Sequence, residues 1–203
     1  MNIKEKYQNY RLIGRNGDLF FTHGKSLLAK TIRLFDKSYI NHAGLVYTTE
    51  MAGETRFMVC DSNAKGAKPE FMSSRMSENE DFIILRPIGW TQNEIDKAVN
   101  KAIDEAESGL KYDTLLLLQI AMHRATGIKT HWGKDNKDIC SEFARRYTRH
   151  LPQSFAGVQV QCFEKPTIKT DFITPWDFII YHDDIFYELI CAENIDFSKF
   201  RKR

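Results

Sequence analysis

The chain has 203 residues, 42% of them hydrophobic and 28% charged, with 29 Lys and Arg against 27 Asp and Glu for a net charge of +2. That length favours one domain over residues 1–203, with a core large enough to need no disulfide staples. So balanced a charge argues against nucleic acid or an anionic membrane as partner, and five Pro with 11 Gly are too few for a disordered or fibrous chain.

No apolar run approaches the roughly 18 residues of a membrane span, so no stable membrane insertion is expected. Residues 1–12 are polar, carry Lys4, Lys6 and Arg11, and lack the apolar stretch and cleavage site of a signal peptide. A cytoplasmic protein with reduced thiols is therefore expected. The cysteines are Cys60, Cys140, Cys162 and Cys191. None forms a Cys-x-x-Cys pair, so no structural zinc and no metal cofactor are expected. The default for each is a small buried hydrophobe.

In chain order, Gly17-Asp18 opens a short apolar run, Leu19-Phe20-Phe21. Residues 26–35 have helical spacing, with Leu27, Leu28, Ile32 and Phe35 on one face. Residues 42–47 and 56–61 read as two strands of a hairpin joined by a polar loop, 48–55. A third strand covers 82–86, stopped by Pro87. Thr91 and Glu94 then form a capping box, and a helix runs from there to about Glu107, closed by Gly109. Residues 113–125 read as a helix apolar on nearly every face, hence a central one. Asp138 precedes a third helix, 140–150, ended by Pro152. Residues 155–186 are mixed, with a possible strand at 158–163 and a helix start at Thr174-Pro175. Strands first, then helices, then a return make an α+β plan.

Several chemistries fail at the level of spacing. Gly24-Lys25-Ser26 ends like a phosphate-binding loop, but Leu19 stands where the first glycine is required. Gly-x-Ser-x-Gly and His-Glu-x-x-His are absent. His182, Asp183 and Asp184 read better as a helix start than as metal ligands.

One constellation survives. Cys140 falls in the first turn of a predicted helix, where free amides and partial positive charge lower a thiol pKa and can bind an oxyanion. His42 begins an apolar strand and alternates with Gly44 and Val46 on one face. Asp61 ends the next strand, where a hairpin brings it beside His42. A helix-borne thiol, a strand-borne imidazole and an orienting carboxylate are the parts of a papain-type site. Each alone has a plainer reading: a buried thiol, a satisfied core histidine, a turn residue.

The segment Gly17-Asp18-Leu19-Phe20-Phe21 and then Ser38-Tyr39-Ile40-Asn41-His42-Ala43-Gly44-Leu45-Val46 resembles the permuted papain-like amidases, the YaeF/YiiX group of the NlpC-like superfamily. Tyr112-Asp113, Ile139-Cys140-Ser141-Glu142-Phe143 and Ile173-Thr174-Pro175-Trp176-Asp177 match further motifs of that group in the same order. The resemblance spans about 17–186. It implies a circularly permuted papain-like (NlpC-like) fold, with an antiparallel sheet against a helical half that carries the nucleophile helix. Histidine would then precede cysteine in the chain, which a site defined by geometry tolerates.

The resemblance also implies roles. Cys140 would be the nucleophile and His42 the base and acid. The family's third residue is usually a Glu on the following strand; this chain offers Asp61, one methylene shorter. Asn41 stands where the family has Ser. Asn41 and Tyr39 flank the histidine, and they with Tyr112 are candidate substrate-binding residues. Tyr112 could equally pack beneath a helix that Asp113 caps. The loops 48–55, 64–80 and 129–137 are the expected pocket rims, the middle one a candidate lid.

The expected activity is hydrolysis of an amide bond in a cell-wall peptide, a peptide or an N-acyl amino acid. Two readings compete on the same fold. One is a lipid acyltransferase or thioesterase resembling lecithin:retinol acyltransferase, which should have an acyl channel and usually a membrane anchor. The other is a non-catalytic binding module. The sequence leaves the oligomeric state open.

Overall fold

The computed structural model describes residues 3–25, 30, 39–63, 66–78, 81–109, 111–112, 137–151, 154–155, 158–159, 187–193 and 195. The expected helices over 26–35 and 113–125, the extension of a strand beyond 159, the Thr174-Pro175 start and the motif over 173–177 lie outside these residues. So do Trp176, His182, Asp183 and Asp184.

Ten strands and four helices are described: α1 (Ile3–Ile13), β1 (Leu19–Thr22), β2 (His42–Met51), β3 (Glu54–Asn63), β4 (Gly66–Phe71), α2 (Met72–Glu78), β5 (Phe82–Pro87), α3 (Gln92–Glu107), β6 (Lys111–Tyr112), β7 (Lys137–Asp138), α4 (Cys140–His150), β8 (Ser154–Phe155), β9 (Val158–Gln159) and β10 (Tyr187–Glu193). Six strands form one antiparallel sheet in the order β10-β5-β1-β2-β3-β4. The architecture is α+β.

The central strands read as unbroken apolar runs because both faces of the sheet are covered. Leu19, Phe21, Ala43, Leu45, Cys60, Ile83 and Leu85 join a core with α3 and α4. Phe20, Val46, Phe57, Val59, Phe82 and Ile84 join a second core with Tyr7 and Tyr10 of α1 and Met72 and Met76 of α2. The alternation of the strands thus sorts side chains between two helix layers rather than between core and water.

Asp18 explains the opening Gly-Asp pair. Its carboxylate is fully buried and accepts from Arg86 Nε at 2.8 Å, Arg86 Nη2 at 2.9 Å and the Tyr10 hydroxyl at 2.8 Å. Arg86 also donates to the Ile13 carbonyl at 2.6 Å. This network ties α1 to the sheet.

The capping box at Thr91 and Glu94 is present, and α3 ends at Glu107 as its period predicts. α4 likewise spans Cys140–His150. Its Phe143, Ala144 and Tyr147 are fully buried, each large one stabilising the packing by on the order of 2 kcal/mol. The Tyr147 hydroxyl donates to the Gly17 carbonyl at 3.1 Å. Cys140 lies on the same stripe, three, four and seven residues before these anchors, so seating them turns Cys140 toward the sheet.

Four sequence expectations need correction. The loop at 48–55 is instead ladder: β2 and β3 pair from Leu45↔Cys60 to Met51↔Glu54. Only Ala52 and Gly53 turn, both at positive φ (54° and 77°), as a two-residue hairpin demands. The segment read as a lid contains β4 and α2, and its Met72 and Met76 are core residues. Pro87 belongs to β5 rather than stopping it. The polar start and the chain beyond residue 186, where no element is expected, form α1 and β10, which pack on and extend the sheet.

Candidate active site

The first residue of β2, the end of β3 and the start of α4 meet at one end of the sheet. β1 and β2 pair with Thr22 opposite His42. His42 shares a sheet face with Gly44 and Val46. Across the β2–β3 ladder, Asp61 shares that face with Val59. An added Cβ on Gly44 would stand 2.5 Å from Val59 Cγ1 and 3.3 Å from the Asp61 Cβ. The absence of that atom lets the Asp61 side chain lie across Gly44 toward His42.

The result is a hydrogen bond from His42 Nε2 to Asp61 Oδ2 at 2.8 Å. A carboxylate only accepts, so Nε2 carries the proton. That leaves Nδ1 as the second ring nitrogen, and Cys140 is near enough to act on the imidazole electrostatically. The Cys140 side chain makes a weak hydrogen bond to the Asn41 carbonyl, with sulfur and oxygen 3.9 Å apart. Asp61 is 2% exposed and Cys140 2%; the His42 side chain retains 20%.

The electrostatics of this trio favour a charged imidazole. Burial pulls the His42 pKa down and is the largest single influence. The nearby Asp61 carboxylate, the proximity of the Cys140 sulfur and the hydrogen bond to Asp61 together outweigh it and raise the pKa to about 10. Cys60 differs sharply: burial, Asp61 and Glu107 push its thiol up to about 12. Cys191 is raised as well, mainly by burial. Both remain protonated at neutral pH.

The remaining candidate residues are placed less directly. Asn41 is 2% exposed. Its amide oxygen accepts from Gly24 N at 2.8 Å and its backbone N–H donates to the Thr22 carbonyl at 3.2 Å. Its carboxamide thus bridges the exit of β1 to the entry of β2, and its carbonyl touches Cys140. The Tyr39 hydroxyl donates to Asp81 Oδ2 at 2.5 Å. The Tyr39 carbonyl accepts from His23 Nδ1 at 2.8 Å, and the two rings lie 4.4 Å apart. Tyr112 pairs through its backbone with Asp138, in parallel β6 and β7, two residues before Cys140; its side chain lies outside the described residues. The structure therefore brings His42, Asp61 and Cys140 together, sets Asn41 against them through its backbone, and gives the hydroxyl of Tyr39 to Asp81.

One residue of the site was not anticipated. Arg75, on α2, donates from Nη2 to the same Asp61 Oδ2 at 2.7 Å. A helical signal was available: Met72, Arg75 and Met76 stand at the i, i+3, i+4 spacing of one helix face. Among the described residues, no group of three or more His, Cys, Asp or Glu is arranged to hold a metal ion. No described helix is long and apolar enough to cross a membrane.

No protein-family profile and no curated protein matches the chain. Among solved structures, it is similar to the metalloprotein yiiX from Escherichia coli O157:H7, with a TM-score of 0.44 and 16% identity over 88% of this chain and 97% of that one.

Proposed function

We propose that the protein is a cysteine hydrolase that cleaves an amide bond, with a cell-wall peptide, a peptide or an N-acyl amino acid as substrate class. In this reading the α+β architecture is a circularly permuted papain-like fold, the chain is a member of the permuted amidase group its motifs resemble, and it works in the cytoplasm. The observation that carries the proposal is that the Asp61 carboxylate of β3 holds His42 of β2 while the buried Cys140 thiol of α4 sits against the backbone of Asn41, the residue before that histidine.

The chemistry follows from that arrangement. His42 takes the thiol proton, and the thiolate attacks the substrate carbonyl carbon. The amides in the first turn of α4, Cys140 among them, have no intrahelical acceptor and stabilise the oxyanion. Collapse of the tetrahedral species breaks the C–N bond while His42 returns its proton to the departing amine. Water, deprotonated by His42, then attacks the thioester, releasing the acid and restoring the thiol. Asp61 holds the imidazole with Nδ1 toward sulfur throughout. The buried Asp61 carboxylate and Cys140 thiol serve this cycle better than they serve packing, since apolar side chains would fill the space without a desolvation cost.

The test is hydrolysis of a panel of peptide and N-acyl amino acid amides by the wild-type chain, Cys140→Ala and His42→Ala. Turnover that disappears in both variants, with folded protein retained, supports the proposal. Turnover that persists in Cys140→Ala refutes it.

A further inference from the structure

We propose that Arg75 is a positioning residue of this site: through Asp61 it keeps the buried set of groups electrically neutral while the proton moves between Cys140 and His42. The inference rests on the nucleophile and base assigned above and adds a fourth member to them.

The geometry is specific. Arg75 Nη2 and His42 Nε2 approach the same oxygen, Asp61 Oδ2, at 2.7 and 2.8 Å. The Arg75 side chain is 14% exposed and that of Asp61 3%, so the pair is shielded from the solvent screening that makes exposed ion pairs weak. Its other arm, Nη1, is held by Glu78 at 3.3 Å and Glu70 at 3.6 Å. These two acids anchor the guanidinium from β4 and α2, so the fork arrives at Asp61 in a fixed orientation. Met72 and Met76 bury the same helix face in the core, which fixes α2 itself.

Counting charge shows what the contact does. With thiol and imidazole neutral, Asp61 and Arg75 cancel. With thiolate and imidazolium formed, the four charges of Cys140, His42, Asp61 and Arg75 again cancel. Without Arg75, both states carry an uncompensated buried negative charge. Every proton in the set would then be held more tightly. The titratable and charged groups around the carboxylate and its guanidinium partner are His42 from β2, Cys60 from β3, Glu70 and the exposed Lys68 from β4, Arg75 and Glu78 from α2, and Cys140 from α4. Lys68 stands opposite Asp61 in the β3–β4 ladder.

The experiment is a pair of titrations on the full chain: His42 imidazole chemical shifts by NMR, and the pH dependence of Cys140 alkylation by iodoacetamide. It compares wild type with the neutral variants Arg75→Gln and Arg75→Met and with Arg75→Lys, each checked for folding by circular dichroism. In the neutral variants the His42 midpoint and both limbs of the alkylation profile should move up by about one pH unit, and Arg75→Lys should return them close to wild type. A merely structural arginine would lower stability without moving the midpoints. Unmoved midpoints in a folded neutral variant overturn the proposal. So does failure of both neutral variants to fold, which makes the residue structural. His42→Ala separates the two layers of the argument. A Cys140 profile indifferent to that change overturns the nucleophile–base pair, and the role of Arg75 falls with it. Intact coupling without a shift in the neutral variants overturns Arg75 alone.

Discussion

Gly44 and Asp61 are neighbours across the β2–β3 ladder, and the Cβ that Gly44 lacks would stand 3.3 Å from the Cβ of Asp61. The placement of the Asp61 carboxylate therefore depends on a glycine two residues along the strand from His42, its hydrogen-bond partner. Gly44→Ala should destabilise the fold by about 1–3 kcal/mol, because the new methyl meets Val59 Cγ1 at 2.5 Å within a packed core. It should also displace Asp61 and lower the His42 midpoint. Urea denaturation and an imidazole titration of the same variant check both effects.

The His42–Asp61 pair makes stability depend on pH in a defined direction. The His42 pKa is raised in the folded chain from 6.5 to about 10, burial opposing and Asp61 and Cys140 prevailing. A raised pKa means the folded state holds its proton more tightly. The contribution is thus fully present below about pH 6.5 and is lost as pH rises toward about 10. Urea midpoints measured across that window should fall with rising pH. In Asp61→Asn the fall should end at lower pH. A flat wild-type profile would refute the pairing.

The cysteines should separate by reactivity. Burial and neighbouring acids hold the Cys60 thiol at about 12, and burial raises Cys191, whereas Cys140 lies beside the His42 imidazole. At about pH 7, Cys140 should alkylate roughly tenfold or more faster than either, and His42→Ala should abolish the difference. Mass spectrometry of tryptic peptides reads each site.

Asp18 predicts an effect of a different kind. Asp18→Asn would leave the buried Arg86 guanidinium without its bidentate partner, at a cost of about 3–5 kcal/mol. Asp18 precedes β1 while His42 pairs with the last residue of that strand, so the His42 titration of the folded variant should keep its midpoint. Loss of thermal stability together with an unmoved midpoint would mark the opening Gly-Asp as scaffold.

What was legible in the sequence was whatever is decided within a few residues. The capping box at Thr91 and Glu94, the apolar stripe of α4 and the alternation after His42 are short-range patterns, because backbone amides and helix faces find their partners nearby. They sufficed to put a thiol at a helix start and an imidazole at a strand start. The hairpin also put a carboxylate at the right end of β3, although the turn itself was misread: Ala-Gly is a weak written signal for positive φ, and the ladder's pairing overrides it.

Only the tertiary structure decided the rest. α1 and α2 are short and polar on one side, and neither shows which surface will cover its tyrosines or methionines until the second face of the sheet exists. β10 is recognisable as a strand only once β5 supplies a ladder for it. Arg75 reaches Asp61 only because Met72 and Met76 seat α2 on that face. A long side chain's charge partner is set by where its backbone is packed, and packing is a property of the whole chain rather than of the residues beside it.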